Sequence, residues 1–211
     1  DDKFAPLNGV STDGGVIKKD VKVHYFAGSN HFLAGLKDKN QEEQILQLLR
    51  TSAKLDVTIK NNQVHVGVEN VGAGHHLPTG VADFRELWLD ITITDANNKI
   101  VFSSGKLAEN GDLKADAKPF MKVFGDKDGN PVGLLFWKYE KLLSDTRIPA
   151  KTRRVESYDL AKDLKYPLKA MVKLNFRIYP QSITSMVQKA FPELPNPPVV
   201  ELENIEQIFK K

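Results

Sequence analysis

The strongest constraint on the fold lies in residues 54–70. Leu55, Val57 and Ile59 alternate with polar residues, Asn61-Asn62 interrupts them, and Val64, Val66 and Val68 alternate again. A period of two sends successive side chains to opposite faces of an extended backbone, so each run carries one apolar face and one polar face. Two such runs joined by an Asn-Asn turn predict a β-hairpin. A hairpin with one apolar face must bury it against a further layer, which makes the rest of the chain a search for that layer.

The same pattern recurs downstream. Leu87, Leu89, Ile91 and Ile93 alternate before the turn Asp95-Ala96-Asn97-Asn98, and Ile100-Val101-Phe102 leads away from it. A third turn, Asp126-Lys127-Asp128-Gly129-Asn130-Pro131, separates strand-like residues 121–124 from 132–139. Further strands are predicted over 153–160 and 168–178, a short helix over 183–191, and an edge strand over 199–202 after a proline-rich passage.

Upstream the period changes. Phe32, Leu33, Leu36, Ile45, Leu46, Leu48 and Leu49 recur at helical spacing, with Ser29 or Asn30 as the cap and Gly35 with the polar run 37–40 as a break into two helices. Residues 1–20 are rich in Gly, Asp and Lys and have no periodicity. The predicted organisation is a lead-in segment at 1–20, a helical segment at 21–53 and a β domain at 54–211. The fold class is mainly β: an antiparallel β-sandwich, Ig-like or jelly-roll-like, with an N-terminal helical segment and a short C-terminal helix.

Composition excludes several functions. With 41% hydrophobic and 27% charged residues, the chain has enough apolar surface for a core. Its 30 Lys+Arg are interleaved with 27 Asp+Glu, so nucleic acid finds no basic stripe. No apolar run reaches the ~20 residues that span a bilayer. The start, Asp1-Asp2-Lys3-Phe4, lacks Met and an apolar leader and is expected to be a processed or truncated terminus. There is no cysteine, which removes disulfides, thiolate ligands and the C-x-x-C-H site of covalent c-type haem.

Candidate chemistry rests on His24, His31, His65, His75 and His76. His75 and His76 stand in the loop 70–80, Asn-Val-Gly-Ala-Gly-His-His-Leu-Pro-Thr-Gly. There Gly72 and Gly74 permit unusual backbone angles and Pro78 stiffens the exit. Adjacent residues on an extended backbone point apart, so one ion is not easily shared by both rings, although either can serve as a single ligand. His65 is expected to point outward from its strand, and His31 to stand at a helix N-terminus. The Asp126 turn fails as a calcium loop, because Pro131 takes the position that needs Gly and Trp137 the one that needs Glu. Nucleophile-elbow and phosphate-loop motifs are absent, and independent enzymatic activity is not expected. Arg85 and Arg177, set among apolar strand residues, are expected to pair with carboxylates such as Asp83, Glu86 or Asp90.

Several stretches together resemble the C-terminal β-rich part of multihaem c-type cytochromes of the cytochrome c554-like kind. They are His24-Tyr25-Phe26-Ala27-Gly28-Ser29-Asn30, the loop from Asn70 to Gly80, Arg85-Glu86-Leu87-Trp88-Leu89, Thr146-Arg147-Ile148-Pro149 and Phe176-Arg177-Ile178-Tyr179. The resemblance runs over about residues 21–202, and the glycine-histidine-proline loop is its most specific piece. It departs from the family in having no C-x-x-C-H site. It implies an exported, periplasmic or extracellular domain associated with electron transfer. It also implies His24 and His75 as distal ligands to haem c that a partner cytochrome or a removed upstream region carries. Two other functions compete: copper or zinc bound through His75 or His76, and a partner-binding or assembly sandwich.

Overall fold

The computed structural model describes residues 7–10, 12–21 and 27–211. The chain divides into two compact units, Asp1–Leu48 and Leu49–Lys211.

In the first unit, β1 (Leu7–Gly9) and β2 (Lys18–Val21) form a small antiparallel pair within what the sequence presents as an unpatterned lead-in. Two helices follow, α1 (His31–Gly35) and α2 (Lys39–Arg50), with the unit boundary inside α2. Asn30 is the cap of α1: its Oδ1 accepts the Leu33 backbone N–H at 3.1 Å. The break falls after Gly35, where Asp38 starts the second helix by accepting the N–H groups of Asn40 and Gln41 at 2.9 and 3.1 Å.

The second unit is an antiparallel β-sandwich. One sheet is built from β3 (Ala53–Lys60), β4 (Gln63–Asn70) and β9 (Arg153–Asp159) in the order β3-β4-β9. The other contains β5 (Glu86–Thr94), β6 (Ile100–Ser104), β10 (Leu168–Arg177) and β11 (Val200–Phe209) in the order β11-β10-β5-β6. The predicted Asn turn closes β3 on β4, with Asn61 and Asn62 both at positive φ, +52° and +57°. Val64, Val66 and Val68 are fully buried, as are Ile91 and Ile93 on β5 and Val172 and Leu174 on β10. At one margin the Lys54 ammonium reaches Glu203 at 2.9 Å between sheets, and at the other Phe102 meets Tyr158 with ring centroids 5.6 Å apart.

Three expectations about individual elements are revised. The last strand runs to Phe209, because Val-Glu-Leu-Glu-Asn-Ile-Glu-Gln-Ile-Phe pairs with β10 from Phe176↔Val200 to Leu168↔Phe209. The helix α3 spans Gln181–Gln188, starting two residues before the predicted one. Residues 132–139 do not form a strand: Leu135 N–H bonds Val132 O and Lys138 N–H bonds Leu135 O in successive turns, with a 3-10 turn at Phe136–Lys138. The run Leu134-Leu135-Phe136-Trp137 has no alternation, so neither face of a strand would suit it. The strand that pairs with β7 (Lys122–Gly125) is instead β8 (Lys141–Asp145). The Asp126 carboxylate closes the intervening turn on the N–H groups of Asp128 and Asn130, at 3.0 and 2.9 Å.

Candidate functional site

Residues 71–80 leave the end of β4 as a loop whose tip is exposed and whose two ends are pinned. At the start, the Val71 and Gly72 N–H groups both donate to the Ser52 carbonyl, at 3.0 and 3.1 Å. At the far side, Leu77 and Ile148 exchange backbone hydrogen bonds of 2.8 and 2.9 Å, and both side chains are buried. Pro78 follows a cis peptide bond and is buried. The two glycines play different parts. Gly74 has a φ of +72° and open space around it. Gly72 keeps an ordinary φ but lies so close to Thr51 that a Cβ would sit 2.1 Å from the Thr51 carbonyl oxygen. The expectation of unusual backbone angles therefore holds for Gly74 and is replaced by close backbone approach at Gly72.

Between the pinned ends, the loop hangs on Asn70, the fully buried last residue of β4. Its side-chain amide donates to the His75 carbonyl at 2.7 Å and to the Ile148 carbonyl at 3.0 Å, and its Oδ1 accepts the Ala73 N–H at 3.3 Å. Its backbone is held as well, by Thr152 O and Lys151 N–H. One side chain thus joins the tip to the segment before β9. Periodicity alone does not mark Asn70; the signal the sequence carries is an Asn at the end of an alternating strand, just before a Gly-rich loop.

His75 and His76 are both exposed. The His75 Nδ1 lies 3.1 Å from the His76 carbonyl oxygen. A carbonyl oxygen only accepts, so Nδ1 carries the proton and Nε2 of the neutral ring keeps its lone pair, the nitrogen that can ligate a metal. The remaining histidines are elsewhere. His65 projects from β4 on the side opposite the valines, its Nδ1 2.8 Å from Ser157 Oγ on β9. His31 is the first residue of α1 and is buried, 1% exposed. His24 lies outside the described residues. Among the described residues, no group of three or more His, Cys, Asp or Glu side chains is placed to hold a metal ion.

The two strand arginines divide. Arg177, with its side chain 3% exposed, pairs with Glu86 through Nε at 2.6 Å and donates through Nη1 to Gly111 O at 2.8 Å. Burial pushes the Glu86 carboxyl above its ordinary range, while Arg177 pulls the other way. Arg85 does not bond a carboxylate. It donates to the Ile178 carbonyl at 2.9 Å and stands 5.5 Å from the Tyr179 ring, and desolvation lowers its pKa. The expected pairing holds for Arg177 and is corrected for Arg85, to which Ile178 and Tyr179, just past the end of β10, offer a carbonyl and a π-face.

The chain matches no family model and no curated protein. Among solved structures it is similar to the crystal structure of a penta-heme cytochrome c552 from Thermochromatium tepidum, with a TM-score of 0.57 and 19% identity. The likeness covers 95% of this chain and 46% of that one, so this chain spans less than half that cytochrome's length. At such identity the likeness is one of fold. The fold is related to part of a multihaem cytochrome, and the chain itself has neither a cysteine nor a C-x-x-C-H site for a covalent haem.

Proposed function

We propose that this chain is an exported, non-catalytic β-sandwich that works beside multihaem cytochrome electron transfer and presents His75 as a distal ligand to haem c carried by a partner cytochrome or by a removed upstream region. The observation that carries this reading is the His75 ring itself. Its Nδ1 is committed to the His76 carbonyl, its Nε2 is the free lone pair, and it stands exposed on a loop that Asn70 holds from beneath. Neutral imidazole is an ordinary axial ligand, and an iron held elsewhere supplies the one-electron chemistry. What this chain contributes is the ring's position and tautomer. The fold likeness to a penta-heme cytochrome supports the setting, and the resemblance adds His24 as a second ligand position. Copper or zinc at His75 and His76 has less support, since the described residues bring no further donors to them.

The test uses a ferric haem c peptide with one open axial position. Titration with the protein is expected to convert it to the low-spin, bis-nitrogen spectrum. In a His24→Ala background, which removes the second ligand position, His75→Ala is expected to abolish that conversion, while His76→Ala and His65→Ala retain it. The melting temperature of His75→Ala should hardly move, because exposed positions seldom cost more than ~0.5 kcal/mol. A His24→Ala/His75→Ala protein that titrates the peptide as His24→Ala alone does would refute the ligand role of His75.

A further inference from the structure

Among the described residues the β7–β8 ribbon is a two-stranded sheet of its own: β7 is half-buried and hangs on the Ala82 carbonyl through the Lys122 N–H, whereas β8 is exposed along its whole length. A two-stranded ribbon is marginal in water unless its faces are covered, and the β8 side is left to solvent. Beside it, the 3-10 turn carries large apolar side chains into solvent: Phe136 is 70% exposed, Trp137 67%, Tyr139 49%, Leu142 47%, and Leu134 and Leu135 40% each. At about 150–250 Å² for a whole aromatic side chain, and less for leucine, these exposures amount to roughly 600 Å². That is the upper end of the largest apolar patch found on a typical monomer, a patch that is often functional.

The patch also contains a hole. A cleft of about 310 Å³ opens between the chain after the His75 loop and the ribbon, walled by Val81, Phe84, Phe124, Phe136 and Tyr139. The Tyr139 ring stands edge-on to Phe124 at 4.6 Å, so the wall is packed. Two cations line the cleft, yet both turn to Asp145: Arg147 grips it at 2.9 and 2.8 Å and Lys122 lies 4.0 Å away. Asp83 adds a further negative charge to the lining. An anionic ligand therefore finds no net charge to hold it, and an apolar, planar group suits the cleft better.

Such a group stands next door. Trp137 packs edge-on against Phe136 at 5.4 Å, and Phe136 is a wall of the cleft. We infer that this face binds a second copy of the chain, each Trp137 seated in the other copy's cleft about a two-fold axis. Knob and hole side by side on one face are what an isologous contact requires, since each residue meets its counterpart's partner. Two copies bury roughly 1,200 Å² of this surface, the lower end of specific stable interfaces, with an aromatic anchor in a pocket at its centre.

The test reads mass and fluorescence together on the full chain. Sedimentation equilibrium from low micromolar to near-millimolar concentration is expected to show the mass doubling. Of the two tryptophans Trp88 is buried, so the concentration-dependent part of the emission belongs to Trp137. It should shift to the blue and lose acrylamide quenching as the dimer forms. Trp137→Ala should weaken dimerisation at least ~30-fold, the size expected of an interface anchor. Val81→Glu, at the half-exposed rim of the cleft, should do the same with Trp137 still present. Unchanged far-UV circular dichroism of both variants secures the comparison. The inference is overturned by a wild type that stays monomeric with Trp137 equally quenched throughout. It is overturned equally by a dimer that survives either variant, which would place the indole elsewhere.

Discussion

Replacing Asn70 with Ala removes the three side-chain hydrogen bonds that hold the His75 loop from below, to His75 O, Ile148 O and Ala73 N–H. A typical hydrogen bond contributes about 0.5–1.5 kcal/mol net, and the penalty grows when a buried group is left unpaired. The three sites differ. The Ile148 carbonyl keeps the Leu77 N–H, so it is not orphaned, but it loses a second donor in a dry place. The His75 carbonyl and the Ala73 N–H can turn to water. The expected cost is therefore about 2–3 kcal/mol, below three full bonds plus desolvation. For a domain of this size that corresponds to a fall of roughly 5–10 °C in melting temperature. Urea denaturation followed by circular dichroism gives the free energy, and the haem-peptide titration shows whether a loosened loop still presents His75. Asn70→Asp supplies the discriminating arm. It keeps an oxygen for Ala73 but turns a carboxylate oxygen on two carbonyls and buries its charge, so it should cost more than Asn70→Ala. An Asn70→Ala loss below ~0.5 kcal/mol, or an Asp variant milder than the Ala one, would refute the idea that the amide donors hold the loop.

Three further outcomes follow from the geometry. Arg177→Met leaves the half-buried Glu86 carboxylate unpaired and frees Gly111 O, and should cost about 2–3 kcal/mol by chemical denaturation, with part recovered in the double variant Glu86→Gln/Arg177→Met. Gly72→Ala drives a Cβ against the Thr51 carbonyl, a backbone atom that cannot swing aside, and should cost at least ~2 kcal/mol; Gly74→Ala meets open space and should cost only the ~1 kcal/mol of its positive φ. The Arg147 guanidinium, through its hydrogen bonds, holds the Asp145 carboxyl below the ordinary value of 3.8. A carboxyl lowered in the folded state contributes stability above its unfolded pKa and loses it as pH falls through the folded one, so Asp145→Asn should flatten the acid limb of melting temperature against pH below about pH 4. An unchanged acid limb would assign that sensitivity to other carboxylates.

Much of this fold was legible along the chain because its causes are local. The alternation of Val64, Val66 and Val68 and the Asn61-Asn62 turn act within a few residues, and the hairpin formed where they placed it. So did the Asn30 cap and the break after Gly35. The run at 134–137 misled because consecutive apolar residues have no period, and only the pairing of β7 with β8 decided where the strand resumed. The same limit applies at the site. A Gly-rich loop bearing two histidines was visible in the sequence, as was their reluctance to share an ion. The proton on His75 Nδ1 was decided by a carbonyl whose direction no spacing reveals, and the role of Asn70 by Ile148, 78 residues away. Arg177 met Glu86 across 91 residues, whereas Arg85 met a carbonyl, although both arginines sit in similar apolar strand surroundings. Periodicity and turn chemistry are set by neighbours along the backbone. Partnerships between buried polar groups are set by which segments the packed sheets bring within 3 Å, where desolvation makes an unmet hydrogen bond costly.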